Sequence, residues 1–512
     1  MKFCDALIVG YAVNSTSGGF TNHNVKYIDT VGIKYLYSHF YGTYCAEPVA
    51  FLQLASEMRA LGQNIEILDG LLQGYSCDEM EHFLLEYETN IYCFSLYESN
   101  KNDVLHLMKY VKEHNPSAII VTGGPYVTLC YQELIETEKV IDFVVIGDGD
   151  RAMPKLIETL LDGKKVHNIP NVVYRDLNGK AKMDVKPEAV EMNELHPLAR
   201  DFVDIIQDKG YSLSIASSRG CGHGVCSFCY LKQYQKNGCQ PRFRFRDPTL
   251  VIDEIKDLIE RYHIEKLTFV DDDFFGTDTE GLDRAERLFR MIIQEGIKLK
   301  LYMNVRVASV KELIRRDLLE LAVRAGVSYF FIGFESYNDE ILRRYHKGIT
   351  TNEIDCIIEQ LNKYNIAVNP GMITFDYEIC PDQVKRNIDL LKKLHYYDLF
   401  MFTRTLMNLP SEKQGMRDNR IHRGDFFNPE TEKLYYALVD HRDRLYTMYS
   451  YVDRYKITDE IRDHVVQLHF DFFYEIYDAI IAGASEDIIN DISNTYVELT
   501  CKWLKMVLYD LS

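Results

Sequence analysis

Short apolar runs with strand character recur along the first third of the chain, at 5–10, 64–68, 91–95, 118–122 and 143–146. Between them, residues 48–62 and 105–114 carry apolar side chains at the three-and-four spacing of an amphipathic helix; Val49, Leu52, Ala55, Met58 and Leu61 share one face of the first. Strands separated by helical patterns predict an α/β fold, a doubly wound parallel sheet whose ligand cleft lies at the carboxyl ends of the strands. Those ends read Gly10-Tyr11, Ser95-Leu96-Tyr97-Glu98, Gly123-Gly124-Pro125 and Gly147-Asp148-Gly149. Glycine there lets backbone approach a flat or phosphate-bearing ligand, and equally makes a tight turn.

From 170 the pattern weakens into a polar hairpin around Asn178-Gly179 and a linker running to 206. Six further strands are predicted at 213–216, 266–270, 300–304, 329–333, 367–374 and 399–405, with helical stretches such as 248–262 and 281–295 between them. From 410 to 512 the pattern is helical. The expected borders are therefore 1–169, 170–206, 207–409 and 410–512.

A net charge of −19 argues against a nucleic-acid backbone as partner, since phosphate binding needs a basic face. No run approaches the roughly 18 apolar residues of a membrane span, and no signal peptide stands at the start. Most of the twelve cysteines are scattered through apolar runs, as buried free thiols of a reducing compartment are, so a cytoplasmic protein is expected.

The exception is Cys221-x4-Cys226-x2-Cys229, on a loop with three glycines where a strand ends and a helix should start. Three thiolates on one loop suit an iron–sulfur cluster with one iron left open. A zinc-stabilised binding module is the alternative, with His223 or Cys239 as fourth ligand. The flanks, Ser218-Arg219-Gly220-Cys221 and Cys226-Ser227-Phe228-Cys229-Tyr230, resemble the cluster loop of radical S-adenosylmethionine (SAM) enzymes, with one residue inserted in the usual Cys-x3-Cys-x2-Cys spacing. Gly123-Gly124-Pro125 with Tyr126-Val127-Thr128-Leu129, and Ile146-Gly147-Asp148-Gly149-Asp150 before a helix, resemble the cobalamin-binding domain of that superfamily's B12-dependent branch.

The resemblance implies a partial (βα)6 radical SAM barrel between a cobalamin-binding-like domain and a helical C-terminal region. It implies a 4Fe–4S cluster on Cys221, Cys226 and Cys229. SAM contacts are implied at Asp271, Asp272, Asp273, Asn304, Arg306, Glu335, Ser336, Lys347 and Ile373, and cobalamin contacts at Tyr11, Ser95, Tyr97, Gly123, Gly124, Pro125, Gly147 and Gly149. Residues 375–378, Phe-Asp-Tyr-Glu, depart from the glycine-rich adenine contact of many relatives. After Tyr11 there is no Asp-x-His-x-x-Gly loop, so no histidine ligand to cobalt is expected from it, and His23 is read as a loop residue.

The activity implied is reductive SAM cleavage to a 5′-deoxyadenosyl radical and cobalamin-dependent methylation of an unactivated carbon of a small-molecule or peptide substrate. A ring-forming, rearranging or oxidising reaction with the same cofactors is the alternative. A flavodoxin or ferredoxin would donate the electron. Arg242, Arg244 and Arg246 follow the loop, either to balance cluster or SAM charge or as a solvated basic face.

Overall fold

The computed structural model describes residues 2–11, 47–97, 100–276, 279–394, 396, 402–403, 424–452 and 459–509. These fall into two compact units, 2–300 and 301–509. The loop after Tyr11, His23 and most of the expected strand 399–405 lie outside the described residues.

The first unit opens with a seven-stranded sheet. Its strands are β1 (Ala6–Gly10), β2 (Ile65–Asp69), β3 (Ile91–Ser95), β4 (Ile119–Gly123), β5 (Phe143–Val145), β6 (Val172–Arg175) and β7 (Ala181–Lys182). The spatial order is β2-β1-β3-β4-β5-β6-β7, parallel through β5 and antiparallel beyond. All five residues of β1 and of β3 are buried, as strands covered on both faces require. The chain leaves β1 for β2 and returns to the other side as β3, so the switch point lies between β1 and β3. The hairpin predicted around Asn178-Gly179 forms β6 and β7 and extends the sheet; Asp176 Oδ1 accepts from the Asn178 and Lys180 amides at 2.8 and 2.9 Å.

Helices α1 (Val49–Ala60), α2 (Cys77–Leu84), α3 (Lys101–His114), α4 (Pro125–Thr137) and α5 (Ala152–Leu161) connect these strands. Gly124, at φ 105°, turns the chain from β4 into α4, whose first residue is Pro125; proline there loses only an amide that has no helical partner. The unit continues with β8 (Leu213–Ile215), β9 (Ser218–Gly220), α6 (Leu231–Asn237), β10 (Phe243–Phe245), α7 (Pro248–Tyr262), β11 (Lys266–Phe269) and α8 (Thr279–Gln294). Strands β8 and β11 pair in parallel, while β9 and β10 form a separate antiparallel ribbon.

In the second unit, β12 (Lys300–Arg306), β13 (Val327–Glu335) and β14 (Ala367–Met372) pair in parallel, with a register shift between Gly333 and Glu335. Helix α9 (Pro381–Lys393) follows, and the tail is α10 (Pro429–Val452), α11 (Asp459–Ile481) and α12 (Glu486–Tyr509). Tyr474 of α11 donates to Asp389 of α9 at 2.6 Å, and Phe402 packs on Phe470 and Phe473. No described helix is long and apolar enough to cross a membrane.

Candidate active site

The thiol loop hangs from the β9–β10 ribbon. Gly220, at φ 89°, ends β9, and a Cβ there would stand 2.3 Å from Arg242 O, so the ribbon closes only on glycine. Cys229 N donates to Cys226 O at 3.2 Å, and α6 starts two residues later. The base of the loop is held by the acidic turn after β11. Ser217 N and Ser218 N both donate to Asp271 Oδ1 at 2.8 Å, and Gly220 N donates to Asp272 Oδ2 at 2.8 Å. Arg284 of α8 reaches Ser217 O at 3.2 Å and Phe274 O at 2.6 Å.

Three thiols on one loop are the donor set of an iron–sulfur cluster with one iron left open. Ligands around tetrahedral zinc lie about 3.8 Å apart for Zn–S bonds near 2.3 Å. Among the described residues, the one Cys/His/Asp/Glu group with three ligand atoms within 4.8 Å of one another is Cys77, Glu81 and His106, not the triplet. Burial, with Cys226, Cys221 and Asp272 nearby, pushes the Cys229 thiol up to about 12, so a positively charged metal centre is what would favour its thiolate.

A cavity of about 380 Å³ opens at the carboxyl ends of β1, β3, β4 and β5. Ser95, Tyr97, Gly123, Gly124, Pro125, Gly147 and Gly149, all expected at the cleft, line it. Tyr11 does not. It is 3% exposed in the apolar core with Met80 and Leu68, and burial raises its phenol far above its ordinary range. One residue past β1, its backbone carbonyl rather than its ring serves the switch point, accepting from Asn100 Nδ2 at 2.6 Å while Asn100 Oδ1 takes the Tyr97 amide at 2.7 Å. A side chain on Gly124 would not extend into empty cleft: its Cβ would meet Ser95 Oγ at 2.8 Å and Leu96 O at 3.1 Å.

The opposite wall comes from the thiol loop's own flanks: Ser218, Arg219, Gly220, Tyr230, Gln240 and Asp272 face the same cavity. Asp272 is the accessible member of its acidic run, whereas Asp271 and Asp273 are 0% exposed. Burial by surrounding protein, with Asp271 and Asp273 adding to it, raises the Asp272 carboxyl.

Long-range pairs join the two walls. Arg219 donates to Asp150 at 2.7 and 2.8 Å and to Asp148 at 3.2 Å. Arg244 pairs with Asp148 and donates to Val190 O at 2.8 Å. Tyr234 OH donates to Gly147 O at 2.9 Å. Thr128 links the two glycine loops, donating to Gly124 O at 3.0 Å and accepting from Gly147 N at 3.0 Å. Arg246 is committed to Glu254 at 2.5 Å, and Arg242 is exposed. Two of the three arginines after the loop thus serve ion pairs within the protein. Short-range pattern carries no sign of these pairings.

In the second unit, Glu335 ends β13 at φ 67°, a left-handed conformation that costs a non-glycine residue energy. Lys347 Nζ meets Glu335 Oε1 at 3.1 Å, and Ile373 N donates to Glu335 O at 2.7 Å. Arg306, 8% exposed, donates to Ser309 Oγ at 3.2 Å, and Asn304 sits two residues earlier on β12. Ser336 is fully buried and donates to Asn387 Oδ1 at 3.0 Å. At 375–378, Phe375 stacks edge-on with Phe426 and Tyr435 of the tail, and Asp376 takes Arg344 and Tyr345.

Residues 215–391 match the Radical SAM superfamily model and residues 42–157 the B12 binding domain model. An uncharacterized methyltransferase of Pyrococcus horikoshii is 26% identical over 68% of this chain and 73% of its own length. The anaerobic magnesium-protoporphyrin IX monomethyl ester cyclase of Synechocystis is 27% identical over 58% of this chain and 57% of its own. The hopanoid C-3 methylase of Methylococcus capsulatus is 26% identical over 64% and 61%. The chain thus spans less than two thirds of the latter two. Among solved structures, the cobalamin-dependent radical enzyme OxsB with aqua-cobalamin and SAM bound has a TM-score of 0.73 at 16% identity, covering 100% of this chain and 81% of its own. The methyltransferase TsrM of Kitasatospora setae has a TM-score of 0.55 at 16% identity over 77% and 71%. The chain thus carries a B12 binding domain, whose glycine loops open the cleft, followed by a radical SAM domain, whose thiol loop faces it.

Proposed function

We propose that this enzyme transfers a methyl group to an unactivated carbon of a small molecule or peptide. The supporting observation is the one cavity in which the glycine loops of the sheet face Tyr230 and Asp272 beside the thiol loop. Cys221, Cys226 and Cys229 would hold a 4Fe–4S cluster with one iron left for SAM. When bound, cluster, SAM and cobalamin together supply a 5′-deoxyadenosyl radical and a transferable methyl group.

The chain's own residues position these groups and exclude water. Phe51, Leu54 and Met153 make the cleft wall apolar, and Gly123, Gly147 and Gly149 keep backbone close to a flat cofactor. The proposed SAM contacts are Asp271, Asp272, Asp273, Asn304, Arg306, Glu335, Ser336, Lys347 and Ile373. A flavodoxin or ferredoxin is the proposed electron donor. The scattered free cysteines support a cytoplasmic location.

The test is anaerobic turnover with SAM and a reductant on candidate substrates. Methyl transfer requires S-adenosylhomocysteine and 5′-deoxyadenosine together, with product heavier by one methylene. The similarity to the cyclase favours a second reading, ring formation without methyl transfer, in which 5′-deoxyadenosine appears without S-adenosylhomocysteine.

A further inference from the structure

The cleft has a polar floor that the glycine loops do not supply. Among the described residues, Ser218 Oγ and Gln240 Nε2 are buried without a hydrogen-bond partner, and both residues line the cavity. Ser218 is 2% exposed. Buried polar atoms are almost always satisfied, so two unsatisfied ones on one cavity point to a ligand that completes them.

Both groups are held in place by their surroundings. Ser218 lies in β9 with its amide on Asp271 at 2.8 Å, and the next residue, Arg219, is pinned to Asp150. The Gln240 amide packs against Gly147, where an added Cβ would stand 3.1 Å from Nε2. Gln240 N donates to Gln235 O at 2.8 Å, fixing the backbone beneath the side chain. An amide donor and a hydroxyl on rigid backbone match a cofactor rimmed with oxygen acceptors, and the corrin of cobalamin carries such acceptors on its carboxamide side chains.

We propose that Ser218 and Gln240, both from the radical SAM side of the cleft, hydrogen-bond the carboxamide rim of cobalamin, so that the cofactor is gripped from both walls. This rests on cobalamin occupying the cleft. Ser218 stands three residues before Cys221 on the strand that carries the thiol loop, so the grip links the two cofactors. Whatever orders the loop tightens cobalamin, and cobalamin in turn steadies the loop.

The test titrates hydroxocobalamin into the anaerobically reconstituted full-length chain, followed by visible absorbance. Ser218→Ala and Gln240→Leu should each weaken binding by about 3- to 10-fold, the effect of one hydrogen bond. Iron content should stay at the level of the unmutated protein, because neither residue is a cluster ligand. Gln240→Leu keeps the bulk of the side chain and removes every hydrogen-bonding group, so it is the decisive variant. Unchanged affinity in Gln240→Leu overturns the proposal, even if Ser218→Ala disturbs the ribbon. If the unmutated chain binds no cobalamin, it is the reading of the cleft that fails, a result separate from any behaviour of the variants.

Discussion

Arg219 and Asp150 form a two-bond ion pair, Nη1 to Oδ2 at 2.7 Å and Nη2 to Oδ1 at 2.8 Å, between the thiol loop's flank and the last glycine loop of the B12 domain. Burial alone would raise the Asp150 carboxyl; the guanidinium outweighs it and holds the group below the usual range. Removing Asp150 leaves Arg219, in a largely buried setting, only the 3.2 Å contact to an Asp148 already shared with Arg244, a loss of about 3 kcal/mol. Asp150→Ala is therefore expected to lower stability by that order in urea unfolding, and to loosen the thiol loop enough to reduce iron retained on reconstitution. The double change Asp150→Leu with Arg219→Met should recover most of the stability, since it leaves no uncompensated charge.

Adjacent carboxylates should behave differently. Asp271→Ala would orphan two backbone amides and leave Arg284 buried with a missing counter-charge, so loss of fold and of iron is expected, on the order of 3 kcal/mol or more. Asp272→Ala removes one accepting oxygen from a side chain that faces the cavity. It should retain iron while SAM cleavage falls. Iron analysis beside 5′-deoxyadenosine yield separates the two outcomes.

Replacing Cys221, Cys226 and Cys229 together by Ala should abolish the broad visible absorbance of the reconstituted protein and all SAM cleavage. Cys356→Ser, an exposed thiol on a helix of the second unit, should leave both unchanged. A triple variant that still cleaves SAM would exclude the cluster assignment.

Gly124 is required by its backbone. Its φ of 105° and the 2.8 Å approach of Ser95 Oγ to an added Cβ make even Gly124→Ala strained, by about 1–3 kcal/mol. The strain falls on the loop that lines the cleft, so cobalamin retained per chain should drop. SAM cleavage by the thiol-loop side should persist.

His469 and His441 are buried side by side in the tail, ring nitrogens 3.4 Å apart, with His441 stacked on Phe472. Burial lowers His469 to about 3 and, with His469 beside it, lowers His441 well below its ordinary value. Both stay neutral when folded, whereas the unfolded chain takes up protons below about 6.5. Stability is therefore full above that pH and falls as pH drops from 6.5 towards 3, by about 1.4 kcal/mol per unit for each histidine. His469→Phe should flatten this slope in urea unfolding between pH 6.5 and 5.

The strand runs, the helical faces and the cysteine spacing are local properties, and the sequence by itself determined them. An alternation of buried β1 and β3 with amphipathic α1 and α3 leaves few ways to build a sheet, and the need for glycine at 124 and 147, both at positive φ, is legible because so few residues suit such turns. What a charged or polar side chain pairs with is not local. Asp150 and Arg219 are 69 residues apart, and only packing decides that Asp150 serves the thiol loop while Asp272 faces the cavity. The same holds for Tyr11, which lies one residue past a strand end and turns into the core. It holds for Phe375, whose partners Phe426 and Tyr435 arrive with the tail. Tertiary structure alone decided these, because an ion pair or a buried ring is defined by its neighbours in space, and spacing along the chain records only the backbone's own periods.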